Sequence, residues 1–432
     1  MRFSSLSQWL AWQEHLHFRD IDPGLQRVGE VWQRMGGSSR LPFKVVTVAG
    51  TNGKGSSVAI TAAVLQAAGY RTATYTSPHL LRYNERICID SVAADDNDIC
   101  QAFQRIDDAR GDTSLTYFEF ATLAAADIFC REKVDIAVLE VGMGGRLDAV
   151  NLFDTDVALI TPIGLDHMLW LGDNRELIGR EKAGIIRRDK PVVCSEATPP
   201  QTVIDYADSL EAPSFLRERD FYYQDDNEHW HWRNANISFQ NLPLPVLAGK
   251  YQLQNSAAVL QVCYLLNQQG LTISEQAIRD GLRRIRLSGR FQLIPGQVTR
   301  ILDVTHNQQG AENLCSVLKE TQSEGKTYAV LAMLKDKDCQ AVVEALSPAI
   351  DGWFLAGLEG DRGMSGVELG SQVAPLIGED KTVCSETVKQ AYEAAMNEAL
   401  PGDRVLIFGS FHTVEAAMLF LPECQQPVSQ AS

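Results

Sequence analysis

The sequence contains no run of about 18 consecutive apolar residues, so it offers no segment able to cross a bilayer as a helix. Its first twenty residues lack the continuous apolar core of a secretory leader, and none is expected. There is no Cys-x-x-Cys pair. The nine cysteines, at 88, 100, 130, 194, 263, 315, 339, 384 and 424, are odd in number and dispersed, which reads as reduced thiols in a cytoplasmic protein. Positive charge is also scarce. Lys plus Arg total 39 against 55 Asp plus Glu, a net charge of −16. Such a surface repels phosphate polymers and anionic membranes, which argues against nucleic-acid or membrane partners but not against a local pocket for a small anion. Internal repeats and low-complexity tracts are absent as well.

What is present is 432 residues, 45% hydrophobic and 22% charged, which at about 100–200 residues per domain suggests two or three globular domains. Short β-branched runs at Lys44–Ala49, 135–141, 156–163 and 191–194 read as buried strands. Stretches of helical period separate them, such as 57–68, closed by Gly69. This alternation predicts a parallel sheet covered by helices. The segment 220–247 differs: it is aromatic and alternating, then breaks at Pro243 and Pro245, so it reads as a small antiparallel insertion. A second α/β series begins near Leu293, with strands at 300–304, 327–333, Gly352–Ala356 and Arg404–Phe408. The Arg286-Leu-Ser-Gly-Arg290 stretch divides the chain into expected domains 1–286 and 287–432, and the polar residues 425–432 read as a frayed end.

The strongest local signal runs from Gly50 through Thr51, Asn52, Gly53, Lys54 and Gly55 to Ser56, between a strand and a helix. Glycines let backbone N–H groups converge on phosphate oxygens, and the helix N-terminus adds positive potential. Lys54 suits the β- and γ-phosphates, and Ser56 a magnesium ion. The spacing is a variant: Val48 stands where the common P-loop has its first glycine, and Gly55 follows the lysine.

Glu140 ends an apolar strand ahead of Gly142-Met-Gly-Gly145, and reads either as a magnesium ligand or as a solvated rim carboxylate. Asp166 and His167 follow the next strand, so three strand ends deliver polar groups to one edge, which favours a ligand role for His167. Lys182 lies on the apolar face of a helix expected over 174–187, with an Asp173/Glu176 capping box. It either snorkels to water or is held in a site, where burial would make its neutral amine accessible. His229-Trp-His231 and Lys335-Asp-Lys-Asp338 carry weaker signals: no ligand cluster follows the first, and the second lacks the asparagine of a guanine reader. Asp303, His306 and Asn307 follow one strand of the second series, and Ser410 and His412 follow another.

Taken together, AGTNGKGS, YTSPHL, LTYFEF, LEVGMGGRLDAVN, Leu165-Asp-His167, IGREKAGI, the Gln252 and Asn255 stretch, SGRFQ, DVTHN and GSFHTV resemble the folylpolyglutamate synthase/dihydrofolate synthase branch of the Mur ligase superfamily over nearly the whole chain. The resemblance implies a P-loop parallel-sheet ATPase domain and a smaller Rossmann-like α/β domain, with the nucleotide between them. It implies ATP-dependent amide ligation through an acyl phosphate, acting on dihydropteroate, reduced folates and L-glutamate. In this sequence Gly50 to Ser56, Asn255, Arg290 and Asp303 match the nucleotide-contacting positions, and Lys54, Lys182, Asp303, His306 and Ser410 the catalytic ones. Ser56, Ser77, Glu140, His167 and a carbamylated Lys182 (N6-carboxylysine) match the holders of two magnesium ions. Ile21, Asp22 and Pro23, with Thr116, Tyr117, Phe118 and Glu119 and with Leu147, Asp148 and Ala149, match a pterin sub-site of the bifunctional bacterial type. A monomer is expected. Departures are Met143 for the usual Leu, Thr305 for Ala or Gly, and Gln308 for Pro, none of which removes a charged or metal-binding group.

Overall fold

The computed structural model describes residues 1–321, 323, 325–378 and 382–425; residues 426–432 of the expected frayed end lie outside them. The chain divides into two compact units. The first comprises residues 1–79, 83–246 and 252–286, and the second 80–82, 247–251 and 287–432. Among the described residues, no helix is long and apolar enough to cross a membrane.

The first unit is built on strands β1 (Lys44–Ala49), β2 (Thr72–Tyr75), β3 (Ile87–Ile89), β4 (Val92–Ala93), β5 (Ile136–Glu140), β6 (Val157–Ile160), β7 (Val192–Cys194) and β8 (Ser214–Leu216). They form one sheet in the order β4-β3-β2-β5-β1-β6-β7-β8, parallel except at the β3 and β4 edge. β1 is central, and its residues 45–49 are all buried, as a strand covered on both faces must be. The helix after it begins at Lys54, three residues earlier than the apolar period suggests. Gly53, at φ 89°, turns the chain so that the glycine-rich segment itself supplies the first helical turn.

A similar local effect revises the helix that carries Lys182. It spans Arg175–Ala183, not 174–187: past it Gly184, Ile185 and Ile186 bond three residues back instead of four, and Gly184 packs so closely on Arg146 that a Cβ would lie 2.4 Å from Arg146 Cα. Ile185 and Ile186 remain buried beyond its end. The expected Asp173/Glu176 capping box does not form. Asn174 accepts the N-capping bond from Leu177 N at 3.0 Å, while the Glu176 carboxylate turns away to accept from Gln201 N and Thr202 N at 3.1 and 3.0 Å.

The aromatic insertion forms a separate antiparallel sheet in the order β11-β10-β9, from β9 (Phe221–Asp225), β10 (His229–Asn234) and β11 (Ser238–Pro243). Its alternation buries Trp230 and Trp232, whose indole N–H groups donate to Pro243 O and Ala257 O, both at 2.9 Å. His231 instead faces Asp226 and accepts from Asn241 N.

The second unit carries β12 (Gln292–Ile294), β13 (Thr299–Asp303), β14 (Thr327–Leu331), β15 (Gly352–Ala356), β16 (Thr382–Ser385) and β17 (Arg404–Phe408). Their order is β12-β13-β17-β14-β15-β16, parallel from β13 onward. Apolar clusters cover both faces, one around Leu314, Met333 and Trp353, the other around Val330, Ile407 and Val414. Leu80 belongs to the latter cluster, which accounts for residues 80–82 joining this unit.

Within the first unit, the helix Glu275–Arg284 lies against Lys54–Ala67 at Gly281, where a Cβ would stand 2.6 Å from Val64 Cα. Gly281→Ala is expected to cost about 1–3 kcal/mol through overpacking. Urea unfolding followed by tryptophan emission should show a lowered midpoint.

Candidate active site

The carboxyl ends of four neighbouring strands, β2, β5, β1 and β6, carry the polar residues singled out in the first unit. Gly50 follows β1 at φ 152°, where a Cβ would fall 1.8 Å from Thr161 Oγ1, so the turn requires glycine. Thr51 stitches this loop to the one after β6: its hydroxyl donates to Gly164 O at 3.0 Å and accepts from Gly164 N at 3.1 Å. Thr51 N and Asn52 N both donate to Pro162 O. The amides of the first helical turn, from Lys54, have no carbonyl four residues back and point out of the helix end. Gly53 lies against Asn255, whose Oδ1 is 2.6 Å from its would-be Cβ. Asn255 donates to Gln252 Oε1 at 3.1 Å, and Gln252 to Ser56 Oγ at 3.3 Å, so the helix Lys250–Gln268 supports the loop from behind.

Two lysines converge on one carbonyl. Lys54 Nζ donates to Gly50 O and Thr51 O, each at 3.2 Å, and Lys182 Nζ donates to Gly50 O at 2.7 Å. Lys182 is 4% exposed, which decides the sequence ambiguity against snorkelling. Burial first, and then the nearby Lys54 charge, pull its pKa down to about 7, against the opposing pull of Asp166 and Asp148. Close packing keeps it there. Arg146 N donates to Glu181 O at 2.8 Å, and Gly145 sits where a Cβ would lie 2.8 Å from that same oxygen.

Glu140 is buried at the end of β5 and accepts from Ser77 N at 3.1 Å, a contact made possible because β2 and β5 are neighbours. His167 adopts a left-handed conformation at φ 51° before the short helix Met168–Leu171, with its Nε2 4.0 Å from Asp166 Oδ2. Among the described residues, no three His, Cys, Asp or Glu side chains form a ready metal cluster.

The three segments expected to contact a pterin also meet in the first unit. Gly24 N donates to Leu147 O at 3.1 Å, tying 21–24 to 147–149. Phe118 comes within 2.7 Å of a Cβ built on Gly142 and lies 5.9 Å from the Tyr75 ring. Thr116 and Glu119 form a reciprocal capping box for the helix Tyr117–Arg131. Asp148 accepts from Met143 N and Val150 N at 2.9 and 3.0 Å, and burial raises its pKa to about 6. Both the Asp148 and Glu119 carboxylates therefore organise backbone, a role their motif positions did not reveal.

In the second unit Asp303 and Phe408 are paired in register, so Asp303 and Ser410 stand at adjacent strand ends. Both Asp303 oxygens are taken by backbone, Phe291 N at 2.7 Å and Thr305 N at 2.8 Å. His306 Nδ1 lies 2.9 Å from Val304 O, so Nδ1 carries a proton and Nε2 is the basic nitrogen. Ser410 caps the helix Phe411–Phe420, accepting from Thr413 N at 3.0 Å, and the Arg290 guanidinium lies 5.2 Å over the Phe411 ring. Asn307 caps Gln308–Glu320. The sequence motifs include Gln252 but not its bond to Ser56, and sequence reasoning missed the Asn174 cap and Arg27. Neither Asn174 nor Arg27 sits in a motif with a distinctive spacing of its own.

The Mur ligase middle domain profile matches residues 48–263, and that of the Mur ligase glutamate ligase domain residues 289–411. The dihydrofolate synthase/folylpolyglutamate synthase of Escherichia coli (strain K12) is 42% identical over 415 residues, 96% of this chain and 95% of its own. Its counterpart in Haemophilus influenzae is 40% identical over 95% of this chain and 96% of its own. The solved structure of E. coli FolC in complex with DHPP and ADP superposes with a TM-score of 0.90 at 42% identity, covering 96% of this chain and 97% of that one. A bifunctional folylpolyglutamate synthase/dihydrofolate synthase with Mn, AMPPNP and L-glutamate bound gives 0.88 at 41% identity, covering 96% and 98%. The chain belongs to the Mur ligase family, in its dihydrofolate synthase/folylpolyglutamate synthase group of ATP-dependent ligases.

Proposed function

We propose that this chain uses ATP to join L-glutamate to dihydropteroate, giving dihydrofolate, and then extends reduced folates with γ-linked glutamates. The observation that carries the reading is the buried Lys182 amine, 2.7 Å from Gly50 O and next to the phosphate-loop lysine. Burying an amine costs stability, and such groups concentrate where chemistry uses them.

The chemistry follows from the charges involved. A carboxylate oxygen of the acid takes the γ-phosphoryl group of ATP, with ADP as leaving group. The glutamate amine then attacks the acyl carbon, and inorganic phosphate leaves as the amide forms. Gly50 to Ser56 supply backbone donors and the Lys54 ammonium to the phosphates, holding charge that spreads during transfer. Ser56, Ser77 and Glu140 offer the oxygen donors that suit magnesium, an ion that completes its shell with phosphate oxygens and water, and His167 would add one nitrogen. Bound there, two magnesium ions would offset the repulsion between carboxylate and triphosphate.

Lys182 fits a further donor. Only a neutral amine attacks carbon dioxide, and the depressed pKa of Lys182 makes that form available near neutral pH. Attack by nitrogen and loss of its proton give a carbamate, whose negative charge would also relieve the Lys54 repulsion. In the second unit, Arg290, Asp303, His306 and Ser410 serve the nucleotide and glutamate sides, with Asp303 acting by shaping the turn that holds His306. Asn255 serves the nucleotide from behind Gly53. Free cysteines and an acidic composition support a monomer working in the cytoplasm on small molecules, with neither nucleic acid nor membrane as partner.

Phosphate release from ATP should require both an acid and L-glutamate, and should proceed with dihydropteroate and with tetrahydrofolate in parallel assays. Turnover with tetrahydrofolate alone would reduce the enzyme to a polyglutamylating one, and turnover with neither would reject the reading. Lys182→Ala is expected to lower kcat by about 10²-fold or more, as for loss of a preorganised charge. In the wild type, Lys182-dependent turnover should fall as pH drops through about 7, because protonation removes the nucleophilic amine. Isotope-labelled carbon dioxide should give a carbamate signal that Lys182→Ala lacks; near-normal turnover in that variant would exclude the carbamate.

A further inference from the structure

Arg27 lies on the helix Gln26–Arg34, outside every segment that motif reading selects. Its side chain is mostly covered, and its guanidinium spans two of the three pteroate-side segments. Nε donates to Glu119 Oε2 at 2.9 Å. Nη1 donates to the Asp22 carboxylate and Nη2 to the Asp22 backbone carbonyl, so one fork grips both the side chain and the main chain of a single loop residue. Glu119 Oε2 also accepts from Thr116 N at 2.8 Å, which closes the capping box at the start of Tyr117–Arg131. On its other side the same loop reaches the third segment through Gly24 N and Leu147 O. His17 backs the arrangement, its Nε2 3.2 Å from Asp22 Oδ2 and its Nδ1 2.8 Å from Ser114 Oγ.

Two features set this apart from an ordinary surface ion pair. The Glu119 side chain is 5% exposed, so the pair is largely desolvated on that side and its geometry is held. Glu119 Oε1 is buried and has no hydrogen-bond partner among the described residues, leaving an acceptor next to the segments that would receive the acid. A guanidinium is suited to such a junction because its donors are spread over three nitrogens fixed in one plane, whereas the three donors of a lysine all lie on one atom and do not span the distance from Glu119 to the Asp22 carbonyl and carboxylate in a fixed orientation.

We propose that Arg27 is a positioning residue for the pteroate-bearing acid: it locks the Asp22 loop against the capped helix start and so sets the register in which the ring system is received. The proposal rests on the reading that 21–23, 116–119 and 147–149 form the pteroate sub-site.

Steady-state kinetics of the full chain test it. Arg27→Ala should raise KM for dihydropteroate about tenfold or more, as a displaced loop would, while KM for ATP and for L-glutamate stay close to wild type; the thermal midpoint falls as well, because the buried Glu119 carboxylate loses its partner. Arg27→Lys, which keeps the charge but not the fork and is the milder change for folding, should shift the same KM in the same direction. Asp22→Asn should mimic it, and the Arg27→Ala/Asp22→Asn pair should be less than additive because both cut one contact. A uniform rise in all three KM values, a fall in thermal midpoint without a selective KM change, or full additivity would overturn the proposal. Phe118→Leu separates the two readings. If it raises the dihydropteroate KM while Arg27 variants do not, only the role of Arg27 fails; if none of these variants moves that KM, the sub-site reading fails with it.

Discussion

The contact on which the first unit's polar edge depends is the bond from Lys182 Nζ to Gly50 O. It ties the helix Arg175–Ala183, between β6 and β7, to the loop after the central strand, and it does so with a group that resists burial. Desolvation and the neighbouring Lys54 both act against a second ammonium at this carbonyl. The outcome is an amine whose neutral form is well populated near neutral pH, held 2.7 Å from the carbonyl of a phosphate-type loop. The chain packs closely here, which explains the concentration of glycine nearby: Gly50 against the Thr161 side chain, Gly145 against Glu181 O, and Gly184 against the Arg146 backbone. A side chain at any of these would clash with the group it packs on, and at Gly145 that group is the Glu181–Lys182 backbone itself.

Much of this was legible in the sequence because its signals are local. A six-residue apolar run such as Lys44–Ala49 is buried on both faces and needs no distant partner to be read as a strand. The insertion was legible for the same reason, since alternation around Trp230 and Trp232 marks which face is covered. The strand edge of the site could likewise be read, because Gly50, Glu140 and His167 each follow a strand, and parallel order places their ends together.

What was not legible depends on contacts between residues far apart in the chain. Gly184, just past the Lys182 helix, packs on Arg146, and Glu176 is drawn away from its expected cap by Gln201 and Thr202. Neither partner is visible in a local window. Arg27 is the clearest case, since its meaning lies in a carboxylate 92 residues away. Motif positions were also ambiguous as to role: Asp303, Asp148 and Ser410 sit where a ligand-contacting group would, yet in the structure each holds backbone N–H groups. Their influence on chemistry runs through the turns they shape.

The net charge of −16 is best understood in that light. At physiological ionic strength the Debye length is about 8 Å, so the global charge is largely screened beyond one or two side chains and leaves local fields to decide binding. Around Gly50 those fields come from Lys54, from the N-terminal amides of its helix and from a lysine whose charge is suppressed. If both lysines stayed protonated, phosphate would be held more strongly but the second would be no nucleophile toward carbon dioxide. Burying one and leaving the other half-buried separates the two functions by environment alone, with the same residue type in both places. The acidic remainder of the protein then repels competing polyanions without opposing the short-range contacts on which the site relies.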